Sequence, residues 1–292
     1  MSGGQPCLQG VPCPAPRYDR AVPRQYVHVD ARTISYFDSE PAGNARRVLV
    51  LLHAFPLGAG MWEGQVKALP PGWRLIAPDL RGFGGSTLPE PDDSASMDDY
   101  ATDVLDVLRE LGITSAVIGG CSMGGYATFA LLRRAPATAE GLVLIDTRAG
   151  ADTPEGRANR RSMLALLERE GPLGVARDML PKLLGTTTCA ERPEVEPLVR
   201  RLIKGQSAAA IRGAILRMMQ RPDAAELLPS LRVPALVVVG EEDVLTPPAE
   251  AQKLADGLPD AELVVMPRTG HLPNLERPQA FNEILHGFLA RL

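Results

Sequence analysis

Short, continuous runs of hydrophobic residues recur along this chain and predict buried β-strands. The clearest run covers residues 47–52, where Val48 to Leu52 are all apolar, as expected for a strand that is covered on both faces. Residues 25–30 and 33–38 alternate apolar and polar positions instead, which indicates a half-exposed antiparallel hairpin. Further apolar runs lie at residues 73–77, 116–119, 142–145, 235–239 and 263–266.

Segments with helical spacing separate most of these runs. Ser96 and Asp99 are spaced as in a capping box, and Gly112 is typical of the stop at the end of the helix that follows. An apolar stripe from Phe281 to Leu292 predicts a second helix at the end of the chain. Strands that alternate with helices predict an α/β fold, with a mainly parallel central sheet flanked by helices.

The alternation stops between residues 147 and 231, where helical signals follow one another and no strand is predicted. Thr153 and Pro154 are typical of a helix start. An inserted helical block is expected to cover the carboxyl edge of the sheet, where ligands of open α/β sheets bind. We therefore predict an α/β core at residues 24–146 and 232–292, a helical lid at residues 147–231, and a disordered Pro-rich lead at residues 1–23.

Composition and charge narrow the classes of function. With 45% hydrophobic and 23% charged residues, the 292-residue chain has an ordinary globular composition, and its net charge of −4 argues against a nucleic-acid partner. No apolar run approaches the length of a membrane span. The first ten residues lack the features of a secretion signal, which favours a cytoplasmic location. The four cysteines show no zinc-binding spacing, and the oligomeric state is left open.

The most informative segment follows the predicted strand at residues 116–119. Gly120, Ser122 and Gly124 form the pattern G-x-S-x-G between that strand and a helical run. A strand that turns directly into a helix strains the backbone of the central residue and exposes its side chain. Glycines on both sides remove the Cβ atoms that would collide as the strand and helix approach. We interpret Ser122 as a candidate nucleophile.

An attacking serine needs a base, and the base needs an acid that orients it. Of the four histidines, His271 is the best placed, because it lies in a loop with Gly and Pro after a predicted strand. Asp243 follows another predicted strand and is the preferred acid, since its short side chain suits a fixed contact with imidazole. Glu241, Glu242 and Asp146 are its alternatives, and Asp146 also lies at a strand end.

The order of nucleophile, acid and histidine along the chain is that of α/β-hydrolases. From residue 25 to its end, the chain resembles members of this superfamily in five segments: His53-Ala54-Phe55-Pro56, residues 78–86 (Pro-Asp-Leu-Arg-Gly-Phe-Gly-Gly-Ser), residues 120–125, Gly240-Glu241-Glu242-Asp243, and Gly270-His271. One departure is Ala54, which stands where the family usually has glycine. Its Cβ restricts the backbone of the loop.

The resemblance also implies roles for residues outside the triad. The backbone N–H groups of Phe55 and Met123 are expected to form the oxyanion hole. His53 is expected to orient its loop and not to act as a second base. We interpret Asp79 and Arg81 as a buried pair that fixes the same loop.

Together these residues predict a serine hydrolase that cleaves a small-molecule carboxylic ester or lactone through an acyl-enzyme intermediate, with no cofactor or metal. A cofactor-free perhydrolase or haloperoxidase, or a hydrolase of carbon–carbon bonds, would use the same triad. A receptor-like protein that binds a ligand with almost no turnover is also compatible with the sequence. Residues 144–148 and the small lid resemble enol-lactonase-like and carboxylesterase-like members of the superfamily.

Candidate substrate contacts come from the lid and from the mouth of the predicted site. Trp62 lies near the mouth, and Met163 and Met218 offer apolar surface in the lid, although methionines at helical spacing also pack helices together. The lid is rich in arginine, which is typical of a solvated helix face. Arg148 is the best placed to bind a substrate carboxylate, because it lies just after a predicted strand.

Overall fold

The computed structural model describes residues 22–42, 45–89 and 96–292. The predicted disordered lead lies outside the described residues, except for its last two positions. The described residues form eight strands, each within three residues of its predicted bounds: β1 Arg24–Val29, β2 Arg32–Asp38, β3 Arg47–Leu52, β4 Trp73–Pro78, β5 Ala116–Cys121, β6 Ala139–Ile145, β7 Ala235–Gly240 and β8 Ala261–Met266.

All eight strands belong to one sheet, in the order β1-β2-β4-β3-β5-β6-β7-β8. β1 is antiparallel to β2, and β2 is antiparallel to β4, which confirms the predicted hairpin. The remaining pairs are parallel: Leu51 of β3 is opposite Gly119 of β5, and Leu144 of β6 is opposite Val237 of β7. The parallel strands therefore end at one common edge, which brings together the residues that follow them.

The apolar runs form the centre of the sheet. Every residue of β5 and β7 is buried, as expected for parallel strands that are covered on both faces. The edge strand β8 is more accessible, and its Val265 is 44% exposed. The sheet therefore supplies a rigid core from which the loops at its carboxyl edge project.

Helices follow most strands. Those of the core are α1 Glu63–Ala68, α2 Met97–Glu110 and α3 Met123–Arg134, and, after the insertion, α8 Pro248–Gly257, α9 Pro273–Glu276 and α10 Pro278–Leu289. Between β6 and β7 lie α4 Pro154–Leu183, α5 Thr186–Glu191, α6 Val195–Lys204 and α7 Ala208–Gln220. The predicted capping box starts α2, since Ser96 Oγ accepts a hydrogen bond from Asp98 N (3.2 Å) and Ser96 N donates to Asp99 Oδ2 (3.0 Å).

The helical insertion, residues 147–231, is built around α4. This helix changes direction at Gly171, which has a non-helical φ of +64° and is followed by Pro172. α4 therefore consists of two helical pieces. α6 and α7 pack against α4, and Val175, Ile203 and Ile211 are fully buried. Within the described ranges, no helix combines the length and the apolar character needed to cross a membrane.

Candidate active site

Ser122 occupies a sharp turn between β5 and α3. β5 ends at Cys121 and α3 begins at Met123, and Ser122 between them has φ +54° and ψ −112°, a strained conformation for a residue with a side chain. A Cβ on Gly120 would lie 2.5 Å from the carbonyl carbon of Gly124, and a Cβ on Gly124 would lie 2.2 Å from a carbonyl oxygen of β3. Both positions therefore require glycine, as the sequence pattern indicated.

His271 and Asp243 lie in the loops after β8 and β7 and are hydrogen-bonded to each other. Nδ1 of His271 is 2.8 Å from Oδ2 of Asp243, and both side chains are almost completely buried. Asp243 also accepts hydrogen bonds from the N–H groups of Leu245 (2.8 Å) and Thr246 (3.2 Å) and from the Thr246 hydroxyl (2.5 Å). This fixed carboxylate selects the Nδ1–H tautomer of His271, which leaves Nε2 as the proton acceptor.

The surroundings of Asp243 favour its ionised form. Burial alone would raise the pKa of this carboxyl, but the charge of His271 and the hydrogen bonds from His271 and Thr246 hold the pKa well below its usual range. Asp243 is therefore an anion at neutral pH, and it stabilises positive charge that develops on His271.

The alternative acid Asp146 lies beside Asp243 but has different surroundings. It follows β6 with φ +43°, and its Oδ1 accepts a hydrogen bond from Gly240 N at 2.9 Å. Burial first, and the charge of Asp243 second, raise the pKa of Asp146 well above its usual range. Of the two aspartates, only Asp243 is hydrogen-bonded to His271 among the described residues.

The two glutamates that were alternatives for the acid are bonded elsewhere. Glu241 accepts a hydrogen bond from Arg268 N at 3.0 Å. Glu242 accepts from Thr187 N at 2.9 Å and from the Thr186 hydroxyl at 3.0 Å, which ties the acid loop to the start of α5. Both glutamates therefore act as loop contacts.

A metal ion could be considered at one group of described residues, Asp146, Asp243 and His271, whose donor atoms lie within 4.8 Å of one another. Nδ1 of His271 and Oδ2 of Asp243 already bind each other at 2.8 Å. The arrangement suits a carboxylate that is hydrogen-bonded to the imidazole of His271 and orients it.

The loop after β3, which carries Phe55, is fixed by His53. This histidine is fully buried; its Nε2 accepts a hydrogen bond from Leu80 N at 3.0 Å, and its Nδ1 lies 3.0 Å from the carbonyl oxygen of Ala54. Burial lowers the pKa of His53, so the imidazole is neutral and links two backbone segments. These contacts support the expected role of His53 in orienting the loop.

The prediction that Asp79 and Arg81 form a buried pair is wrong. Asp79 accepts hydrogen bonds from Ala59 N at 2.8 Å and from the Arg24 guanidinium at 2.9 Å. Arg81 binds Asp103 of α2 at 2.7 Å, because the acidic face of that helix offers it carboxylates. Asp79 still holds the segment that follows the Phe55 loop, through its contact with Ala59.

The two candidate oxyanion donors are backbone N–H groups at the ends of β3 and β5. Met123 is the first residue of α3, so its N–H has no acceptor within the helix. Phe55 lines the same cavity as Ser122, and within the described ranges its N–H donates to no other backbone group. Ala54 is buried without a positive φ, so its side chain fits without the strained backbone that would favour glycine.

Ser122 and His271 open into one cavity of about 670 Å³, a size typical of small-molecule sites. The core contributes Phe55, Tyr126 and residues 244–246 to its wall. The helical insertion supplies the rest of the wall, namely Arg148, Asp152, Gly156, Asn159, Arg160, Ser162, Met163, Leu166, Arg169, Asp178, Met179, Lys182 and Met218. The insertion therefore encloses the space above the candidate nucleophile.

Three of the four predicted substrate contacts, Arg148, Met163 and Met218, line this cavity. The prediction for Trp62 is wrong, because this side chain is fully buried and does not belong to the cavity wall. The 3-10 turn Ala59–Trp62 directs the indole into the core, where its ring centroid lies 6.4 Å from that of Phe281 on α10.

Arg148 differs from the other cations of the cavity. The others have carboxylate partners: Arg160 with Asp152 at 3.2 Å, Arg169 with Glu170 at 2.9 Å, and Lys182 with Asp178 at 2.8 Å. Arg148 donates to the carbonyl oxygen of Leu245 at 3.3 Å, its buried Nε has no hydrogen-bond partner, and it forms no ion pair with any described residue. Its guanidinium is therefore placed to bind an anion in the cavity.

Two supporting residues were not predicted from the sequence. The hydroxyl of Thr246 binds Asp243, and the carboxylate of Glu276 binds backbone N–H groups on both sides of His271. In the sequence, Thr246 stands three residues after Asp243, and Glu276 stands five residues after His271. Neither spacing indicates a contact by itself, because each contact depends on how a loop folds back.

Comparison with known proteins is consistent with the fold. The model of the alpha/beta hydrolase family matches residues 49–284. A pimeloyl-(acyl-carrier protein) methyl ester esterase of Nitrosomonas europaea is 30% identical over 249 residues, which cover 80% of this chain and 92% of that protein.

Two solved structures are similar along nearly their whole length. An esterase from Thermogutta terrifontis with malate bound is 35% identical, with a TM-score of 0.85, and the match covers 92% of this chain and 98% of that one. The enol-lactonase from Burkholderia xenovorans LB400 is 28% identical, with a TM-score of 0.82, and the match covers 91% of this chain and 100% of that one.

Proposed function

This chain belongs to the alpha/beta hydrolase family, and we propose that it cleaves a carboxylic ester or lactone through an acyl-enzyme intermediate on Ser122. Its esterase and lactonase relatives identify it as a hydrolase that acts on ester bonds. The observation that carries the proposal is the shared cavity: Ser122, on its strained turn, opens into the same space as His271, whose Nδ1 lies 2.8 Å from Asp243.

The proposed reaction begins with proton transfer from Ser122 Oγ to His271 Nε2, while Oγ bonds to the ester carbonyl carbon. The carbonyl oxygen becomes an oxyanion that accepts hydrogen bonds from the N–H groups of Phe55 and Met123. Each such donor typically contributes about 10²–10³ in rate. His271 then protonates the leaving oxygen as its bond to carbon breaks, and the acyl group stays on Ser122.

Water releases the acyl group by the same steps in reverse order. His271 takes a proton from water, the hydroxide attacks the acyl carbon, and Ser122 recovers its proton as it leaves. Throughout, the anionic Asp243 orients the imidazole and stabilises its positive charge. The proposed small-molecule substrate would enter below the helical insertion, which we propose acts as a lid that sets substrate choice.

A panel of p-nitrophenyl esters of increasing acyl length, together with several lactones, tests this function. Wild type is expected to hydrolyse some members, and Ser122→Ala is expected to lose that activity while its thermal unfolding stays nearly unchanged. Ser115→Ala is the matched control, since this exposed serine precedes the opposite end of β5. Hydrolysis by Ser122→Ala at the wild-type rate would refute the assignment of the nucleophile.

We propose in addition that Arg148 binds a carboxylate carried by the substrate. Its guanidinium has no ion-pair partner among the described residues, and it lines the same cavity as Ser122. The related Thermogutta terrifontis esterase was solved with malate, a dicarboxylate, which supports tests with acidic esters. An anion paired with arginine in a partly buried site forms a strong, charge-assisted hydrogen bond.

Methyl butyrate and monomethyl succinate form a matched pair for this second proposal, because their acyl chains have equal length and differ in one carboxylate. Arg148→Met is expected to lower kcat/KM about 10- to 100-fold for the succinate ester and less than about threefold for the butyrate ester, since a hydrogen bond to a charged group contributes about 1.5–3 kcal/mol. An equal loss with both esters would show that Arg148 is structural.

A further inference from the structure

Glu276 is a buried carboxylate close to the proposed base but outside the proposed triad. It is the last residue of the short helix α9, and its side chain is fully buried. Its Oε2 accepts hydrogen bonds from Gly270 N at 3.0 Å and Gly185 N at 2.9 Å, and its Oε1 accepts one from Leu272 N at 3.0 Å. Three backbone donors therefore converge on one carboxylate.

Two of these donors, Gly270 and Leu272, are the immediate neighbours of His271 in the chain. The carboxylate of Glu276 therefore bridges the backbone on both sides of the histidine and fixes the peptide units from which its side chain projects. His271 itself donates from its backbone N–H to the carbonyl oxygen of Leu183, at 3.1 Å. The backbone around the imidazole is thus fixed by hydrogen bonds from three consecutive N–H groups, those of residues 270–272.

The third donor, Gly185, lies in the helical insertion, between α4 and α5. Its backbone is so close to the histidine loop that a Cβ on Gly270 would lie 2.2 Å from Gly185 N. Leu183, which accepts from His271, is the last residue of α4. The end of α4, which supplies Asp178, Met179 and Lys182 to the cavity wall, is therefore joined to the loop of the proposed base.

We propose that Glu276 is a positioning residue, which holds His271 in its reactive place and couples that place to the end of α4 in the insertion. The inference rests on the proposed function of His271 as the base. A displacement of about 1 Å in a reacting group can cost about 10²-fold in rate, so small shifts of this loop are expected to affect kcat.

Glutamine is close to Glu276 in shape but cannot accept the same three hydrogen bonds. In the described part of the chain, Glu276 forms no salt bridge, and the three N–H groups compensate its burial. Glutamine has one acceptor oxygen, which can serve Gly185 and Gly270, but its NH₂ group would face the N–H of Leu272. Glu276→Gln therefore removes one bond beside His271 with little change in volume, whereas Glu276→Ala leaves three buried donors unsatisfied.

The test compares Glu276→Gln with Glu191→Gln in steady-state ester hydrolysis and in amide hydrogen exchange. Glu191 is the matched control because it also joins the insertion to the loop before His271, through an exposed ion pair with Arg268. For Glu276→Gln we expect kcat to fall about 10- to 100-fold, with KM changed less than about threefold. Amide exchange is expected to increase at Leu272, which loses its acceptor, and at Gly185, because a neutral amide oxygen is a weaker acceptor than a carboxylate oxygen. The control is expected to change none of these quantities.

Two results would overturn the inference. One is a Glu276→Gln variant that unfolds at a lower temperature but keeps wild-type kcat, which would make Glu276 purely structural. The other is faster exchange in the histidine loop with no change at Gly185, which would show that the insertion is not coupled to the loop. Exchange does not depend on turnover, so the coupling is tested even if wild type hydrolyses no ester, a result that would count against the proposed function alone.

Discussion

Two aspartates at neighbouring strand ends, Asp146 after β6 and Asp243 after β7, have opposite electrostatic properties. Both are almost completely buried. Within the described residues, Asp243 accepts four hydrogen bonds, including one from His271, and its pKa lies well below the usual range. Asp146 accepts one from the same set of residues, namely from Gly240 N, while burial and the charge of Asp243 raise its pKa well above the usual range.

The difference shows that the surroundings of a carboxyl, and not its place at the sheet edge, decide its role. Two buried carboxylates this close cannot both ionise without a large electrostatic cost. The donors gathered around Asp243 favour its ionised form, and burial beside that anion favours the neutral form of Asp146. The predictions below test this division between the two residues.

The largest effect is expected for Asp243→Asn. The amide cannot hold His271 in the required tautomer, and kcat/KM for a hydrolysed ester is expected to fall by about 10⁴. Asp256→Asn, an exposed change in α8, is the control. Activity of Asp243→Asn close to that of wild type would assign the acid to Asp146.

A smaller effect is expected for Thr246→Val, which removes the hydroxyl bonded to Asp243 at 2.5 Å but keeps the shape of the side chain. Because Asp243 is ionised, the loss of this hydrogen bond to a charged group, about 1.5–3 kcal/mol, predicts a fall in kcat/KM of about 10- to 100-fold. Thr102→Val, on α2, removes a hydroxyl bond far from the site and serves as the control. Equal rates for the two variants would mean that Thr246 does not support the acid.

Asp146 is expected to affect stability more than catalysis. The direction in which stability changes with pH follows from its raised pKa. The folded state keeps Asp146 protonated where the unfolded chain ionises it, so unfolding releases a proton and becomes easier as the pH rises above about 4. Asp146→Asn removes this proton release. Urea unfolding at several pH values should show that the free energy of unfolding of the variant rises relative to that of wild type as the pH increases. The expected rise is up to about 1.4 kcal/mol per pH unit. Parallel pH profiles would contradict a neutral Asp146.

The smallest effect is expected for the activity of Asp146→Asn. Asparagine matches the neutral carboxylic acid in shape, and its oxygen can accept the hydrogen bond from Gly240 N. Ester hydrolysis at neutral pH is therefore expected to stay within about threefold of wild type. A loss of 10²-fold or more would show that the negative charge of Asp146 takes part in the reaction.

The sequence predicted those parts of the structure whose physical causes are local. Each buried strand was visible as an apolar run, and the turn at Ser122 was visible because only glycine fits at positions 120 and 124. The parallel sheet then places the residues after β5, β7 and β8 at one edge. For that reason, strand-end reasoning located Ser122, Asp243 and His271 together.

The contacts that the sequence did not predict depend on long-range packing. Trp62 was expected at the mouth of the site, but its turn directs the ring onto Phe281 in the core. Arg81 was expected to pair with Asp79, but the carboxylate of Asp103 on α2 is its partner. Glu276 was missed for the same reason, because one of its three donors lies in the helical insertion, 91 residues earlier in the chain.

The central claim, that Ser122 forms an acyl-enzyme, is tested most directly by intact-mass spectrometry of protein quenched with acid during turnover of a p-nitrophenyl ester. Wild type is expected to carry one added acyl group, located by peptide mapping to the segment that contains Ser122, and Ser122→Ala is expected to carry none. An acyl group on another residue, or ester turnover in Ser122→Ala at the wild-type rate, would contradict the account.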